Sequence, residues 1–342
     1  MYKTETISEL NFELTSFCNA RCPQCPRHDI FGNIQKDLKL AHLPLDTIKK
    51  LPIGKMKNLK NINFIGCFGD PLMHPQLDEI IEFFHRQKIH ISTNASLRNV
   101  EWWNDLGKNT TIDSVVFCID GLADTHEIYR RKTSYEKVMA NAQSFIQAGG
   151  KATWQFIVFK HNEHQIQEAK KLSKDLGFAK IDFMYSDRFD VDNKFAVYEN
   201  NEHLYDLEKS KDQVLLRDKL GAEPGDKYWK KMNDNKGEIS CVWSLAKKLY
   251  IHSDGLVYPC CMLGGISAGK EIEKLMYKKI VKDSDMIDLN KNDFEQIIGS
   301  EIFVKSLPNS FKGDPFHHPV CIEWCNKTTG KYANANLSIV NS

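Results

Sequence analysis

Residues 12–27 read FELTSFCNARCPQCPR and set three thiols, Cys18, Cys22 and Cys25, into one eight-residue loop after a strand-like stretch. Three chemistries compete for such a loop: a disulfide, a zinc site or an iron–sulfur cluster. A disulfide needs an oxidising compartment. The amino terminus, MYKTETISELNF, has no apolar segment of the signal-peptide kind, and no apolar run is long enough to span a bilayer. The chain is therefore expected in the reducing cytoplasm, where ten cysteines point to metal or catalysis. Structural zinc closes four ligands, and His28 is available as the fourth. A cubane cluster held by three thiolates keeps one iron open for a small molecule. The loop by itself admits both.

The elements that would position this loop follow a regular order. Strand patterns at 7–17, 60–66, 88–93, 112–120, 152–160 and 180–186 alternate with helical patterns, among them 75–87, 134–150 and 163–177. Six such alternations demand an α/β fold with a parallel sheet and crossover helices. Functional groups then gather at the carboxyl ends of the strands. The segments there are the cysteine loop, GCFGDP, STNASLR, CIDGLADTHEIYRR and FKHNEHQ, the polar and Gly-rich parts of the chain. Residues 187–237 break the pattern; they are charge-rich and read as a partly helical linker or covering segment. A second unit opens at CVWSLAKKLYIHSDGLVYPCC (241–261), a hairpin turning at Ser253-Asp254-Gly255. The expected organisation is a core over 1–190, a segment over 191–237 and a small α+β domain over 238–342.

With its loops in this order, the stretch from about 7 to 186 resembles the radical S-adenosylmethionine (SAM) superfamily. The resemblance implies a partial (β/α)6, TIM-like barrel and a [4Fe–4S] cluster held by Cys18, Cys22 and Cys25. SAM would chelate the open iron through its amine and carboxylate. One electron, from a flavodoxin- or ferredoxin-like reductant, would cleave SAM to a 5′-deoxyadenosyl radical that takes a hydrogen atom from substrate. FGDP (68–71) stands where the family has Gly-Gly-Glu-Pro, which puts Gly69 and Asp70 at the methionyl ammonium; a turn-stabilising Asp is the other reading. STN (92–94) implies ribose contacts from Ser92 and Asn94, against helix capping by Asn94. CIDG…H…YRR implies that Asp120 lies at the cofactor and that Arg130 or Arg131 neutralises the methionyl or a substrate carboxylate, one arginine lying on a solvated helix face. Asn162 is assigned to the adenine or to a helix cap. Gln24 departs from the family, many of whose members carry an aromatic residue just before the third cysteine.

Cys241, thirteen residues, Gly255, four residues and Cys260 form a spacing similar to the auxiliary-cluster domain called SPASM, or Twitch when shortened. The likeness implies a second [4Fe–4S] cluster on Cys241, Cys260, Cys321 and Cys325, with Cys261 spare because adjacent strand residues face opposite sides. A four-thiolate zinc ribbon is the alternative. Full ligation by protein would favour electron transfer and a net oxidation. Epimerisation would need a hydrogen-atom donor, for which Cys118 and Cys67 are candidates, although free cysteines are commonly buried as small apolar residues. Trp102, Trp103, Trp243 and Trp324 are expected in packing roles.

The net charge of +1 gives no field that would select nucleic acid or an acidic membrane. The expected substrate is a small molecule, a sugar or nucleotide-linked metabolite, because only seventeen residues precede Cys18 and leave no room for a leader-binding module. A maturase acting on a ribosomally made peptide is the alternative, and a non-catalytic zinc-binding barrel the second.

Overall fold

The computed structural model describes residues 2–186, 188–213, 238–265, 278, 281, 283–313 and 317–327; the part of the expected linker over 214–237 lies outside them. In chain order the elements begin with β1 (Glu9–Phe12), α1 (Leu45–Lys49), β2 (Asn61–Phe64), α2 (Leu77–Phe83) and β3 (Lys88–Thr93). Next come α3 (Val100–Lys108), β4 (Ile112–Cys118), α4 (His126–Tyr129), α5 (Tyr135–Gln147), β5 (Ala152–Val158), α6 (Ile166–Asp175) and β6 (Lys180–Tyr185). After β7 (Lys194–Glu199) and β8 (Glu202–Glu208) follow α7 (Val242–Leu245), β9 (Lys248–Ile251), β10 (Val257–Tyr258) and α8 (Cys261–Gly264). The last are α9 (Phe294–Ile298), α10 (Leu307–Ser310) and α11 (Pro319–Cys325).

The described residues pack as two compact units. One draws on 13–42 and 62–213 and carries β2, β3, β4, β5 and β6 side by side in sequence order. β3 to β6 pair in parallel, as the alternation requires. Short polar side chains open two of the helices: Asn99 caps α3 by accepting from Trp102 N at 3.1 Å, and Ser134 caps α5 by accepting from Lys137 N at 3.3 Å. Trp103 is fully buried, its ring 5.1 Å from that of Phe117 and 6.1 Å from that of Phe145, so α3, β4 and α5 share one apolar seam. In its described part the expected partly helical covering segment is an antiparallel pair, β7 with β8, followed by helical residues at 211–213. Phe195, Val197, Tyr205 and Leu207 supply the alternating apolar positions that a period of two needs, and the flanking charges disguise them.

The other unit draws on 2–12, 43–61 and the described residues from 238 on. There β9 lies between its hairpin partner β10 and β1, which pairs with it in parallel from Glu9↔Lys248 to Phe12↔Ile251. Tyr2 reinforces the junction, donating through its hydroxyl to Lys248 O at 3.1 Å and meeting Phe303 edge to face. The amino-terminal strand thus belongs to the sheet of the second cysteine group. The strand expected over 7–17 leaves its ladder after Phe12, because Glu13, Thr15 and Ser16 are engaged elsewhere: Thr15 bridges His42, and Ser16 Oγ accepts from Ala41 N at 2.8 Å.

Candidate active site

The cysteine loop is wound into consecutive turns, Cys25 N donating to Cys22 O (3.1 Å) and His28 N to Cys25 O (3.0 Å). Cys22 is buried and Cys18 and Cys25 are half-buried, and none of the ten cysteines forms a disulfide. Burial pushes all three thiols up, Cys25 to about 11, and the Asp70 carboxylate adds to the effect on Cys18. Such thiols become thiolates only against strong positive charge, which iron supplies. Among the described residues no three His, Cys, Asp or Glu side chains close on a point suited to one metal ion. His28 instead lines a cavity of about 290 Å³ with Arg21, Arg131 and Tyr198. Three thiols on one loop, with His28 lining that cavity, fit a cluster that keeps one iron open.

Residues 66–71 wrap closely against this loop. A Cβ on Gly69 would stand 1.8 Å from Thr15 O and 3.0 Å from Phe17 O, so only glycine permits the approach. Glu13, fully buried, accepts from Phe68 N (2.5 Å) and Gly69 N (2.9 Å). Asp70 is also buried, and both its oxygens are engaged: with Leu72 N and the Thr93 hydroxyl on one side, with Asn94 N and the same hydroxyl on the other. It ties the turn to the end of β3, and burial pushes its carboxyl up despite these bonds. Cys67 sits half-buried in the same turn.

Asn94 does not cap α3, which Asn99 caps. Its Oδ1 accepts from Ser96, and its amide donates to Asn19 Oδ1 (3.1 Å) and lies 3.7 Å from Cys18 Sγ. At the end of β4, Cys118 donates to Gln155 Oε1 (3.3 Å) and lies 3.8 Å from Ser92 Oγ, while burial raises its thiol. Asp120, with no exposed side-chain surface, accepts from Ile157 N and forms an ion pair of 2.6 Å with Arg130 Nε. Arg130 Nη1 reaches Cys22 Sγ at 3.6 Å. Arg131, expected as one candidate for a solvated face, is mostly buried and pairs with Glu199 at the end of β7. Asn162 makes no helix-cap bond; it accepts from Phe159 N and donates to Asp120 O and Ile157 O, holding the ends of β4 and β5 together. Gln24 is buried, donating to Arg188 O at 2.6 Å. Val197 and Leu207 of the β7–β8 pair form an apolar cluster with Ala20, Cys22, Tyr129 and Phe159, against which Cys18 and Cys25 pack. The pair is a roof over the cysteine loop.

The second thiol group is assembled in the other unit. Ser240 N donates to Cys325 O (2.8 Å) and Ile239 bridges Asn326, which draws Cys241 to the end of α11. Cys321 and Cys325 stand one turn apart on that helix and share a face. The β9–β10 turn depends on Gly255 at φ +94°, where a Cβ would stand 2.4 Å from Asn290 Nδ2. Cys241, Cys260, Cys321 and Cys325 line one apolar cavity of about 350 Å³, whose walls include Trp243 and Trp324. Cys261 is not among the lining residues; it opens α8 and so does not occupy the strand position expected for it. Cys241 and Cys325 are hydrogen-bonded to each other, an interaction that lowers the Cys241 thiol and raises that of Cys325. Four thiols lining one apolar cavity fit a cluster ligated entirely by protein.

A profile of the radical SAM superfamily matches residues 12–173, and one of the SPASM iron–sulfur cluster-binding domain matches residues 241–327. The chain therefore carries a radical SAM domain followed by a SPASM domain. Its two domains bring with them a [4Fe–4S] cluster, SAM and an auxiliary iron–sulfur cluster. Over 124 residues the chain is 32% identical to a tungsten-containing aldehyde ferredoxin oxidoreductase cofactor-modifying protein of Pyrococcus furiosus, a match covering 35% of this chain and 32% of that protein. Over 195 residues it is 24% identical to a cysteine-type anaerobic sulfatase-maturating enzyme of Clostridium novyi, covering 53% and 51%. These matches span about a third and about half of the relatives' lengths. The structure of Streptococcus suis SuiB bound to precursor peptide SuiA has a TM-score of 0.53 at 16% identity, covering 93% of this chain and 76% of that one, a likeness of fold. Among the described residues no helix is long and apolar enough to cross a membrane.

Glu13 and the β7–β8 roof are the parts of this site that sequence reasoning missed. A lone carboxylate at the end of an alternating strand was the available sign for the first; Phe195, Val197, Tyr205 and Leu207 were the signs for the second.

Proposed function

We propose that this chain is a radical SAM maturase that oxidises a residue of a peptide or protein substrate. The observation that carries the reading is the presence of two unlike thiol sites on one chain, a three-cysteine loop and a four-cysteine apolar cavity. In this reading Cys18, Cys22 and Cys25 hold the first cluster and leave one iron for SAM, while Cys241, Cys260, Cys321 and Cys325 close the second. With SAM bound and one electron delivered, the first site would supply radical chemistry that removes a hydrogen atom from substrate.

The residues around that site bind, orient and exclude water. Gly69 and the turn tied by Asp70 and Glu13 would offer main-chain groups to the methionyl end, and Val197 and Leu207 pack over Cys22 and against Cys18 and Cys25, which limits the access of water. Four protein ligands leave the auxiliary site no corner for substrate, which supports electron transfer as its role and oxidation as the net outcome. The peptide reading is supported by the relative named as a sulfatase-maturating enzyme and by the like-folded SuiB bound to a precursor peptide. These favour it over the small-molecule substrate.

The test is anaerobic reconstitution, reduction and incubation with SAM and the short peptides encoded beside the gene. The expected result is 5′-deoxyadenosine in step with a mass change in one peptide, both lost in Cys18→Ala. SAM cleavage stimulated by a nucleotide sugar, with no peptide altered, would overturn the peptide assignment.

A further inference from the structure

The resemblance offers Arg130 as a partner for the methionyl or a substrate carboxylate. Its geometry says more. The guanidinium is 14% exposed and held from three sides: Nε on Asp120 Oδ2 at 2.6 Å, the Tyr129 ring 5.6 Å from Cζ, and Nη1 3.6 Å from Cys22 Sγ. Its main chain is fixed as well, Arg130 N donating to His126 O at 2.8 Å and Arg130 O accepting from the Thr133 hydroxyl at 2.6 Å. Asp120 has no freedom to leave, because its second oxygen accepts from Ile157 N and its side chain is wholly buried. A fixed cation therefore bears on one thiol of the trio through an N–H···S contact, with a fixed carboxylate behind it.

Adding an electron to an iron–sulfur cluster adds negative charge, so a buried cation and an N–H donor at sulfur stabilise the reduced state, and a carboxylate opposes both. We propose that Arg130 and Asp120 form a positioning pair that sets the reduction potential of the cluster on Cys18, Cys22 and Cys25, acting through the Cys22 sulfur. The proposal rests on ligation by Cys22. It is independent of whether the substrate is a peptide.

The test is a potentiometric titration of the reconstituted full-length chain followed by electron paramagnetic resonance, without SAM; subsequent SAM addition identifies the cluster by perturbing its signal. Arg130→Gln should shift the midpoint to a more negative potential, and Arg130→Lys should recover part of that shift. Asp120→Asn, nearly isosteric, should shift it the other way, to a more positive potential. Opposite signs from two halves of one ion pair are not what loosened packing produces. If Arg130→Gln does not load iron, the Asp120→Asn shift decides alone. Midpoints that stay put, or move in the same direction in both variants, overturn the proposal. A chain that loads no iron through the cysteine loop would sink the cofactor assignment itself, an outcome told apart by iron analysis.

Discussion

Glu13 reaches Gly69 across 56 positions of sequence, its Oε1 accepting the main-chain N–H at 2.9 Å while also accepting from Phe68. A buried carboxylate spent on two backbone donors fixes the loop that closes on the cysteines. Glu13→Leu leaves both donors without this acceptor and should cost about 2 kcal/mol or more in denaturant unfolding of the apo chain. Glu13→Gln keeps an acceptor oxygen and should lose less than half of that. Equal stability of the two variants would show that the bonds contribute nothing.

The order of strands and helices was legible because each pattern is local: the strand expected over 88–93 is Lys88–Thr93, whereas the cap of α3 is Asn99 and not the Asn94 that the sequence offered. The cysteine spacings were legible for the same reason. Pairing over long separations was not. Nothing in residues 9–12 announces a parallel partner at 248–251, since any alternating strand would serve. The β7–β8 pair was hidden because Lys194, Glu199, Glu202 and Glu208 outweigh four inward apolar residues in any count of charge. The bond from Leu72 N to Asp70 is the turn that the sequence suggested, whereas the bonds from Asp70 to Thr93, Asn94 to Asn19 and Asn162 to Asp120 join distant strand ends and were out of reach.

The cavity walls separate two adjacent cysteines. Cys260→Ala should lower iron from about eight to about four per chain, whereas Cys261→Ala should leave it unchanged. Iron analysis and visible absorption of the reconstituted variants check this; the reverse pattern would hand the ligand role to Cys261.

His126 supplies a pH dependence. It is fully buried, with Nδ1 accepting from Asp120 N at 3.3 Å and Nε2 against the Thr133 hydroxyl at 3.1 Å, which places the ring proton on Nε2. Burial, aided by Arg130, lowers it from 6.5 to about 3. The folded chain keeps this ring neutral while the unfolded chain protonates it, so stability is complete above pH 6.5 and falls as pH drops toward 3. Between pH 6.5 and 5 the loss from this residue is at most about 2 kcal/mol. Unfolding midpoints at pH 7 and 5 should differ less in His126→Gln than in the parent; an unchanged difference would remove His126 as the source.

Leu207 tests the roof over the cysteine loop. It is 1% exposed, in the same apolar cluster as Cys22, Tyr129 and Phe159, whereas Leu204 on the same strand is 44% exposed. A two-stranded pair has little stability of its own and stays closed through such contacts. Truncating a buried leucine typically costs 2–5 kcal/mol, enough to populate local opening before global unfolding. An opened roof admits water and oxygen to a cluster that the closed one keeps dry. Leu207→Ala should therefore bleach several-fold faster in air than the parent, followed at the cluster's visible absorption band, and Leu204→Ala should not. If Leu207→Ala lowers the unfolding midpoint while the two variants bleach alike, the pair stabilises the fold without shielding the cluster.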